Sequence, residues 1–558
     1  MAVPVLATSV LVAQAGPSEL WRMDGTRASE RLASSIAQID DIDGDKFEDY
    51  LVGGPSNGFS GATDHGVALL ISGRTGKILR THKGAAAYDY FGTAVTRLGD
   101  LDGDGVDEYA ISASRAFLGS NQGSVYVYSG KTGVLRVEIK ANSTLKKSDF
   151  GASLASIADV DADGVPDILV GAPLADVTVQ TKTVQTGRAF VYSGKTGKKI
   201  RDLAGSLAGD GFGHALCGLE DLDKDGVGEF LVAAPQSRSG RKGYVRIYSG
   251  KSGKILRTHI GDKDADHFAR SVARIPDMDG DKIADFVVGA PQTDSLPLGN
   301  GGYVRAFGSV SGKTLWTRPG TTKGEGFGHA MVSIGDVDGD GFSDVAASTH
   351  VAVFPKAPGQ VRILSGRTGT VLHAWGGVRS SSQFGMSLAA AGDRNADGRP
   401  DVLVGVPLDG KIGAPEEGSV RVISAWPLSF RSDRPDVSVL QGGKQRLDLD
   451  AGVLRASKFY LILGSQSGIH RGLTVGGRVL PLNLDAYMGL LLAAPNSLIL
   501  PSVGVLDSNG RARAWFSIPA QKNLSLIGLR LDHAYVVFGA TLPSIAWTSN
   551  PVSLTLTK

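Results

Sequence analysis

The chain has 558 residues, a formal net charge of +2 and 42% hydrophobic residues, which is typical of an ordinary globular protein with ample core and room for more than one domain. Its one cysteine, Cys217, excludes an internal disulfide framework and a cysteine-based zinc cluster. The 76 glycines far exceed ordinary usage of about 7%, and they indicate many tight turns and therefore many short strands.

Residues 1–15 predict a secretory signal peptide. They read "MAVPVLATSVLVAQA", an apolar run that ends in the small residues "AQA", as signal cleavage sites do. The basic segment that ordinarily precedes such a run is missing, so a buried first strand is the alternative. No later segment approaches 18 consecutive apolar residues, and we expect no transmembrane segment.

An acidic loop of nine residues recurs seven times along the chain. The copies are "DIDGDKFED" from Asp41, "DLDGDGVDE" from Asp100, "DVDADGVPD" from Asp159, "DLDKDGVGE" from Asp221, "DMDGDKIAD" from Asp277, "DVDGDGFSD" from Asp336 and "DRNADGRPD" from Asp393. Successive copies begin 56 to 62 residues apart. A period of that size is typical of a solenoid, a propeller or an array.

The residues around each loop also repeat. A phenylalanine stands nine residues upstream in six copies, and Leu32 takes its place in the first; the six are Phe91, Phe150, Phe212, Phe268, Phe327 and Phe384. An alternating run leads into the loop, a β-rich run such as "DILVGAP" follows it, and runs such as "GSVYVYSGKTG" and "KILRTHKG" complete the unit. Four short strands in each of seven units predict an all-β, seven-bladed β-propeller over residues 16–428.

The two ends of the repeat array predict how the ring closes. The seventh unit stops after its third strand, and "SELWRMDG" at residues 18–25 is similar to "KTLWTRPG" between the fifth and sixth loops. We expect the N-terminal segment to supply the outermost strand of the last blade, which removes an exposed sheet edge. Residues 429–558 lack the repeat and predict a β-sandwich-like domain, with a hairpin turn at the "SNG" of residues 508–510.

Each loop offers carboxylates at positions 1, 3, 5 and 9 and a backbone carbonyl at position 7. Hard oxygen ligands without histidine or cysteine favour calcium over zinc or copper, and position 12 is apolar, which excludes an EF-hand. Up to seven Ca²⁺ ions are therefore expected. The predicted ligands are Asp41, Asp43, Asp45, Phe47 and Asp49; Asp100, Asp102, Asp104, Val106 and Glu108; Asp159, Asp161, Asp163, Val165 and Asp167; Asp221, Asp223, Asp225, Val227 and Glu229; Asp277, Asp279, Asp281, Ile283 and Asp285; Asp336, Asp338, Asp340, Phe342 and Asp344; and Asp393, Asn395, Asp397, Arg399 and Asp401.

The units resemble FG-GAP repeats, the blades of the N-terminal propeller of integrin α-subunits. Both "FG" and "GAP" are present in "FGASLASIADVDADGVPDILVGAP" at residues 150–173. The resemblance implies calcium at the first, third, fifth and ninth loop positions, and recognition by the face that carries the long variable connections. Glu108 and Glu229 depart from the pattern at position 9, and Asn395 departs at position 3, so we expect the seventh site to be the weakest.

The expected role of calcium is structural, because it relieves repulsion between clustered carboxylates and stabilises the native state by mass action. Extracellular sites of this kind bind calcium at about 10⁻⁴ to 10⁻³ M and fill outside a cell, which favours a secreted or cell-surface protein. The function expected is extracellular ligand binding or adhesion. A purely structural envelope component, or an enzyme such as a polysaccharide lyase or phosphodiester hydrolase, are the alternatives.

Long variable connections predict where a partner binds. They span residues 140–150, 174–187, 292–302 and 350–359. An extracellular protein or polysaccharide is expected, and an anionic one is favoured because seven calcium ions would take the formal net charge from +2 to +16. No nucleic-acid partner is expected, and the oligomeric state stays open.

Few residues indicate catalysis. His214 and His329 occupy the same slot in "FGHA", which Arg270 fills in another unit, and an incidental polar lining is favoured over acid–base work. Cys217 stands where other units have alanine and is interpreted as a small filler rather than a nucleophile. The sequence contains no G-x-S-x-G, H-E-x-x-H or P-loop motif.

Overall fold

A computed structural model describes residues 19–558 apart from short internal gaps, so the predicted signal peptide lies outside the described residues. The gaps are 28, 57–64, 87, 115–122, 143–144, 146–147, 180–181, 237–239, 293–300, 351–357, 378, 380–381, 396–398, 411–415, 426–429, 433–435, 452–454, 456, 468–472, 476–477, 481, 509, 521–523, 539–544 and 550–551. The chain divides into two compact units. The first contains the residues up to Gly392 together with Pro400–Ala425, and the second contains Asp393–Arg399 and Trp426–Lys558.

Seven four-stranded antiparallel sheets build the first unit, and each sheet is one blade. In blades one to six the strands follow one another in chain order. Their bounds are Ser35–Ile39, Asp49–Gly54, Val67–Ile71 and Ile78–Lys83 in blade one; Phe91–Gly99, Glu108–Ala113, Ser124–Tyr128 and Leu135–Lys140 in blade two; Ser153–Ile157, Asp167–Ala172, Arg188–Tyr192 and Lys199–Ala204 in blade three; Leu216–Gly218, Phe230–Ala234, Tyr244–Tyr248 and Ile255–Ile260 in blade four; Ser271–Ile275, Asp285–Ala290, Tyr303–Phe307 and Thr314–Pro319 in blade five; and Phe327–Gly335, Asp344–Thr349, Gln360–Leu364 and Val371–Gly376 in blade six.

The seventh blade joins both ends of the repeat array. It contains Leu388–Gly392, Asp401–Val406 and Ser419–Ile423, and the N-terminal strand Glu19–Asp24 pairs antiparallel with the last of these. The first strands of successive blades contact one another, and the first strand of blade seven contacts that of blade one. The ring is therefore closed, and the predicted all-β, seven-bladed propeller is confirmed.

The "FG" and "GAP" motifs meet where neighbouring blades touch. Gly92, the glycine of an "FG" pair, has φ of +90°, and its carbonyl oxygen accepts a hydrogen bond of 2.8 Å from Ser35 Oγ of blade one. A Cβ atom on Gly53 of blade one would lie 2.2 Å from that oxygen. Only glycine fits so close an approach of two backbones. The same serine-to-carbonyl bond joins Ser153 to Gly213, Ser271 to Gly328 and Ser387 to Ala33.

Apolar side chains fill the space between the blades. Leu51 of blade one packs in one buried cluster with Tyr109 of blade two, and Val170 of blade three packs with Val127 of blade two. The alternating pattern of each strand supplies side chains to both faces of its sheet, so every blade is buried on two sides. This packing fixes where each loop between strands stands relative to the next.

The second unit has two sheets that share one core. The first sheet contains Phe430–Ser432, Gly443–Asp450, Arg511–Ile518 and Ile499–Leu500; the second contains Asp436–Ser438, Val552–Thr557, Arg530–Phe538, Phe459–Ser465, Val503–Val505 and Ile545–Thr548. Leu447 and Phe516 of the first sheet pack with Ile462 and Tyr535 of the second. This is the layering of a β-sandwich. Two short strands, Leu473–Val475 and Arg478–Leu480, pair separately, and a 3₁₀ turn covers Leu524–Leu526.

Two features of the second unit differ from the sequence prediction. The prediction of a hairpin at "SNG" is wrong, because the two flanking strands do not pair with each other. Val503–Val505 pairs with Phe459–Ser465, whereas Arg511–Ile518 pairs with Gly443–Asp450 in the other sheet. The sequence also gave no sign of the helix Ala486–Ala493, whose first turn is capped by the Asp485 carboxylate. Of the helices that the structure describes, none has the length and apolarity of a membrane span.

Candidate metal centres

Every acidic loop connects the first and second strands of its blade, so the loops lie at one end of the strands. The residue at position 9 begins the second strand in six blades and directly precedes it in blade four, and its side chain is buried in all seven. These residues are Asp49, Glu108, Asp167, Glu229, Asp285, Asp344 and Asp401. The described aspartates at positions 1, 3 and 5 are half-buried or exposed, whereas Asn395, at position 3 of the seventh loop, is buried. Each loop therefore spans the boundary between core and solvent.

Backbone amides orient the carboxylates within each loop. In blade two, Asp100 accepts hydrogen bonds of 2.7 Å from the Gly103 amide and 2.9 Å from the Gly105 amide, and Asp104 accepts one of 2.9 Å from Val106. The hydrogen bonds from Gly105 and Gly103 hold the pKa of Asp100 below its usual value. The loop therefore turns around its first carboxylate and keeps that group ionised.

Among the described residues, the structure brings carboxylates together in at least five of the loops. One oxygen from each member lies within 4.8 Å of the others, and the oxygens are close enough to bind one ion. The groups are Asp41, Asp43 and Asp45; Asp100, Asp102 and Glu108; Asp159, Asp161 and Asp167; Asp221, Asp223, Asp225 and Glu229; and Asp277, Asp279 and Asp285. Burial, followed by the charges of Asp163 and Asp159, raises the pKa of Asp161, which is the expected result of crowding like charges.

The remaining predicted ligands stand as follows. In the sixth loop Asp336 accepts from the Gly339 and Gly341 amides and Asp340 from the Phe342 amide, as in the other loops. In the seventh loop, Asp397 lies outside the described residues. The amides of the position-7 residues Phe47, Val106, Val165, Val227, Ile283 and Phe342 donate to position 5. Binding through their carbonyl oxygens, and through that of Arg399, stays a prediction.

The aspartate at position 9 ties two loops of its blade together. Asp344 Oδ2 accepts 2.8 Å from the Val337 amide of the acidic loop, and its Oδ1 accepts 2.9 Å from the Gly366 amide of the turn between the third and fourth strands. Burial raises the pKa of Asp344 to about 6, although both amides lower it. The corresponding aspartates behave alike; they are Asp49, Asp167 and Asp285, each with a pKa of about 6.

The glutamate at position 9 of blade four carries an unsatisfied oxygen. Glu229 Oε2 accepts from the Leu222 amide, whereas Oε1 is buried and has no hydrogen-bond partner. Burial and, after it, the charges of Asp223 and Asp221 raise the pKa of Glu229 to about 7. A buried carboxylate oxygen without a partner is costly. The donor set at this site fits a hard cation, because four carboxylates meet and one of them lacks a partner.

The basic turns between the third and fourth strands contact the acidic loops. Lys195 Nζ donates 3.1 Å to the Asp163 carbonyl, and Lys251 Nζ donates 2.8 Å to the Asp225 carbonyl. These lysines bind the backbone of position 5, whereas its carboxylates accept from serines of the same turns: Asp163 from Ser193 Oγ at 3.2 Å and Asp225 from Ser249 Oγ at 3.4 Å. The basic turns are therefore neighbours of the acidic loops.

A second set of residues around the loops was missed by the sequence analysis. The third residue of a fourth strand reaches the turn of the next blade: Arg257 donates 2.6 Å to the Ser309 carbonyl and 3.0 Å to the Val310 carbonyl. The other members are Arg80, which contacts Gly130 and Lys131; Arg201, which contacts Gly250 and Lys251; and Trp316, which contacts Gly366. The "ILR" that begins the strands of Arg80 and Arg257 is the signal that could have identified those two; the strands of Arg201 and Trp316 begin with "KIR" and "TLW".

The slot that holds His214 and His329 brings three blades together. Arg270 contacts His214, and its Nη2 lies 3.5 Å from His329 Nε2. Burial and the Arg270 charge lower the pKa of both histidines well below the usual value, so both rings are neutral. Burial raises the pKa of the Cys217 thiol to about 11, which keeps it protonated at neutral pH and fits a filler rather than a nucleophile.

Comparison with protein families places this geometry among known repeats. The model of the FG-GAP repeat matches residues 150–192 and 384–423, which hold the first three strands of blades three and seven with their acidic loops. The chain contains FG-GAP repeats. The other five blades have the same four strands and the same loop position, so the structure extends the FG-GAP pattern around the ring.

Curated relatives of the FG-GAP propeller include integrin alpha subunits. Integrin alpha-4 of Xenopus laevis is 31% identical over 188 residues, or 32% of this chain and 18% of the relative. Integrin alpha pat-2 of Caenorhabditis briggsae is 31% identical over 233 residues, 38% of this chain and 19% of the relative. Integrin alpha-V of Gallus gallus is 29% identical over 233 residues, 39% of this chain and 22% of the relative. The match therefore spans about a fifth of the length of these relatives.

Proposed function

We propose that this protein is a secreted or cell-surface binding module, in which calcium stabilises an FG-GAP propeller that recognises an extracellular ligand. The observation that carries the proposal is the Asp221, Asp223, Asp225 and Glu229 cluster, in which four carboxylates converge and the buried Glu229 Oε1 has no partner. Equivalent clusters in four further loops support it.

The chemistry of the donors supports calcium. The clusters offer carboxylate oxygens alone, and hard oxygen donors suit Ca²⁺ rather than softer metals. Residues at positions 1, 3, 5 and 9 would hold the ion. When bound, it would supply the positive charge that lets these carboxylates stand close together while ionised.

The role of the site in the fold is structural. The position-9 carboxylate already links the acidic loop to the turn of the third and fourth strands, as Asp285 does with Met278 at 2.8 Å and Ser309 at 2.9 Å. Charge neutralisation at that carboxylate would strengthen the link, because its burial in the ionised form is otherwise unfavourable. Filled clusters would hold the loops at that end of the blades in one arrangement.

Ligand recognition is proposed for the opposite end of the strands. The connection between the second and third strands of blade three forms a hairpin of Asp176–Val179 with Lys182–Gln185. The other long connections, at residues 140–150, 292–302 and 350–359, lie wholly or partly outside the described residues. The similarity to integrin alpha subunits supports a protein ligand, and a polysaccharide is equally open. Catalysis is not proposed.

An array of extracellular proteins and glycans, probed with the full chain, tests this function. The expected result is saturable binding to a subset of ligands in calcium and weaker binding after chelation with EDTA. Deletion of residues 176–185, joined by a short glycine linker, should weaken binding without lowering the calcium content. Turnover of a bound polysaccharide, or calcium-free protein that binds its ligand equally well, would overturn the proposal.

A further inference from the structure

The acidic loop of blade two contains a cation of its own. Arg136 is the second residue of the fourth strand Leu135–Lys140, and its Nη1 lies 3.1 Å from Asp102 Oδ2 and 3.0 Å from Glu108 Oε2. The Glu108 side chain is 0% exposed and that of Arg136 is 24% exposed. Glu108 and Asp102 are the predicted ligands at positions 9 and 3, so the guanidinium occupies the same cluster that a metal ion would enter.

The other six blades have an apolar residue at this position. In every blade the register between the third and fourth strands shifts there by one residue, which makes the positions directly comparable. The equivalents of Arg136 are Leu20, Leu79, Ile200, Leu256, Leu315 and Leu372. The arginine is therefore a property of blade two and not of the repeat.

Blade four is the matched comparison, because its loop also ends in a glutamate. Leu256 and Asp223 line one cavity of about 130 Å³, which places Leu256 beside the third loop position as Arg136 is placed in blade two. In blade four, where this residue is a leucine, Glu229 belongs to a group of four carboxylates, and its buried Oε1 has no hydrogen-bond partner. In blade two, Glu108 Oε1 likewise lacks a hydrogen-bond partner, but the Arg136 guanidinium lies 3.0 Å from Glu108 Oε2.

We infer that Arg136 acts as a built-in counter-cation, which holds the blade-two loop in its folded arrangement without calcium and makes it the poorest calcium site of the propeller. The inference rests on the proposed function, since it requires that the other loops bind calcium. A guanidinium among the ligands neutralises part of their charge and repels a divalent ion. The weakest site is then set by Arg136 in the second loop and not by Asn395 in the seventh.

Reciprocal substitutions test this inference in the full chain. Arg136→Leu gives blade two the residue of blade four, and Leu256→Arg gives blade four the residue of blade two. Calcium content is measured by equilibrium dialysis, and hydrogen exchange in EDTA and in calcium follows the amides of residues 101–106 and 222–227 separately. In the wild type we expect EDTA to leave the first segment protected and to expose the second.

The variants should exchange these behaviours. Arg136→Leu should bind calcium in blade two about tenfold or more tightly and make residues 101–106 sensitive to EDTA. Leu256→Arg should remove one bound calcium and make residues 222–227 insensitive. If Arg136→Leu does not fold, the Leu256→Arg result decides.

The outcomes separate this inference from the proposed function. If the wild type binds calcium in blade four but residues 101–106 and 222–227 are equally sensitive to EDTA, the role of Arg136 is overturned and the proposed function stands. The role of Arg136 is also overturned if Leu256→Arg keeps the wild-type calcium content and the wild-type hydrogen exchange of residues 222–227. A wild-type chain that binds calcium in none of its loops overturns both.

Discussion

A Cβ atom placed on Gly171 would lie 2.0 Å from the carbonyl oxygen of Gly213, so blades three and four meet backbone to backbone. Gly171 belongs to the "GAP" of one unit and Gly213 to the "FG" of the next. The two motifs that define the repeat are therefore the two sides of one contact. The contact recurs at four of the seven blade junctions, and Gly405 of blade seven meets the carbonyl of Ala33 in blade one at 2.2 Å by the same measure. At the other three junctions the equivalent residues are Ser112, Ala233 and Ser348.

Gly171→Ala should lower the free energy of unfolding by about 1–3 kcal/mol, because the added methyl group forces two backbones apart. Urea unfolding of the full chain measures the effect. Gly489→Ala is the matched control, since a Cβ at that helical position has no neighbour within 4 Å and alanine favours the helix. Equal unfolding midpoints for the two variants would contradict the proposed contact.

Arg257→Lys should lower the free energy of unfolding by about 1–2 kcal/mol, since one ammonium group replaces a guanidinium that donates to two carbonyls of the next blade. Arg513→Lys is the control, because Arg513 forms an exposed ion pair with Asp448 and such pairs contribute little. If Arg513→Lys lowers the free energy of unfolding as much as Arg257→Lys does, the hydrogen bonds from Arg257 to the next blade do not contribute more to stability than an exposed ion pair.

Glu229→Gln should have effects of opposite sign in the two metal states. In EDTA the variant should be as stable as the wild type or more stable, because the buried charge is removed. In calcium it should be less stable than the wild type, because one ligand charge is lost. Thermal unfolding in both buffers measures this reversal, with Glu138→Gln as a control at an exposed carboxylate that pairs with Lys140. Destabilisation by Glu229→Gln of equal size in both buffers would contradict a ligand role.

His533 predicts an acid-sensitive second unit. Its ring is fully buried with Nε2 2.8 Å from Tyr487 Oη, and burial lowers its pKa to about 3. The unfolded histidine binds a proton below its ordinary pKa of about 6.5 whereas the folded one does not, so the free energy of unfolding falls as pH falls below that value, by about 1.4 kcal/mol per pH unit. Hydrogen exchange of the strand Arg530–Phe538 between pH 7 and pH 5 measures this slope.

The non-titrating variant His533→Gln provides the control for that slope. It should keep a donor near Tyr487 while losing the histidine contribution to the pH dependence. A variant with the same slope as the wild type would show that other groups produce the acid sensitivity.

The propeller could be predicted because its information is local and repeated. The sequence of each unit predicts its own strands, acidic loop and glycine turns. Because the pattern occurs seven times, a departure in one copy does not obscure the prediction. The acidic loops were found for the same reason, since ligand spacing within nine residues does not depend on distant contacts. Blade closure by Glu19–Asp24 is visible in the sequence only because its "LW" resembles that of another fourth strand.

What the sequence did not reveal depends on long-range contacts. The turn signal at residues 508–510 predicts that the chain reverses, but it does not determine which sheet each flanking strand joins. The helix Ala486–Ala493 is apolar on all sides, so it has no periodicity that distinguishes it from a buried strand. Arg136 and Arg257 are ordinary basic residues until the register of the fourth strand places them beside a cluster and a turn.

Calcium content and thermal stability, measured on the same preparation, test the central claim most directly. The full chain is dialysed against calcium, its bound metal is counted by mass spectrometry, and its melting temperature is recorded before and after EDTA. The account predicts several calcium ions per chain and a melting temperature that falls by several degrees on chelation. A chain that retains no calcium and melts at the same temperature in both buffers would contradict it.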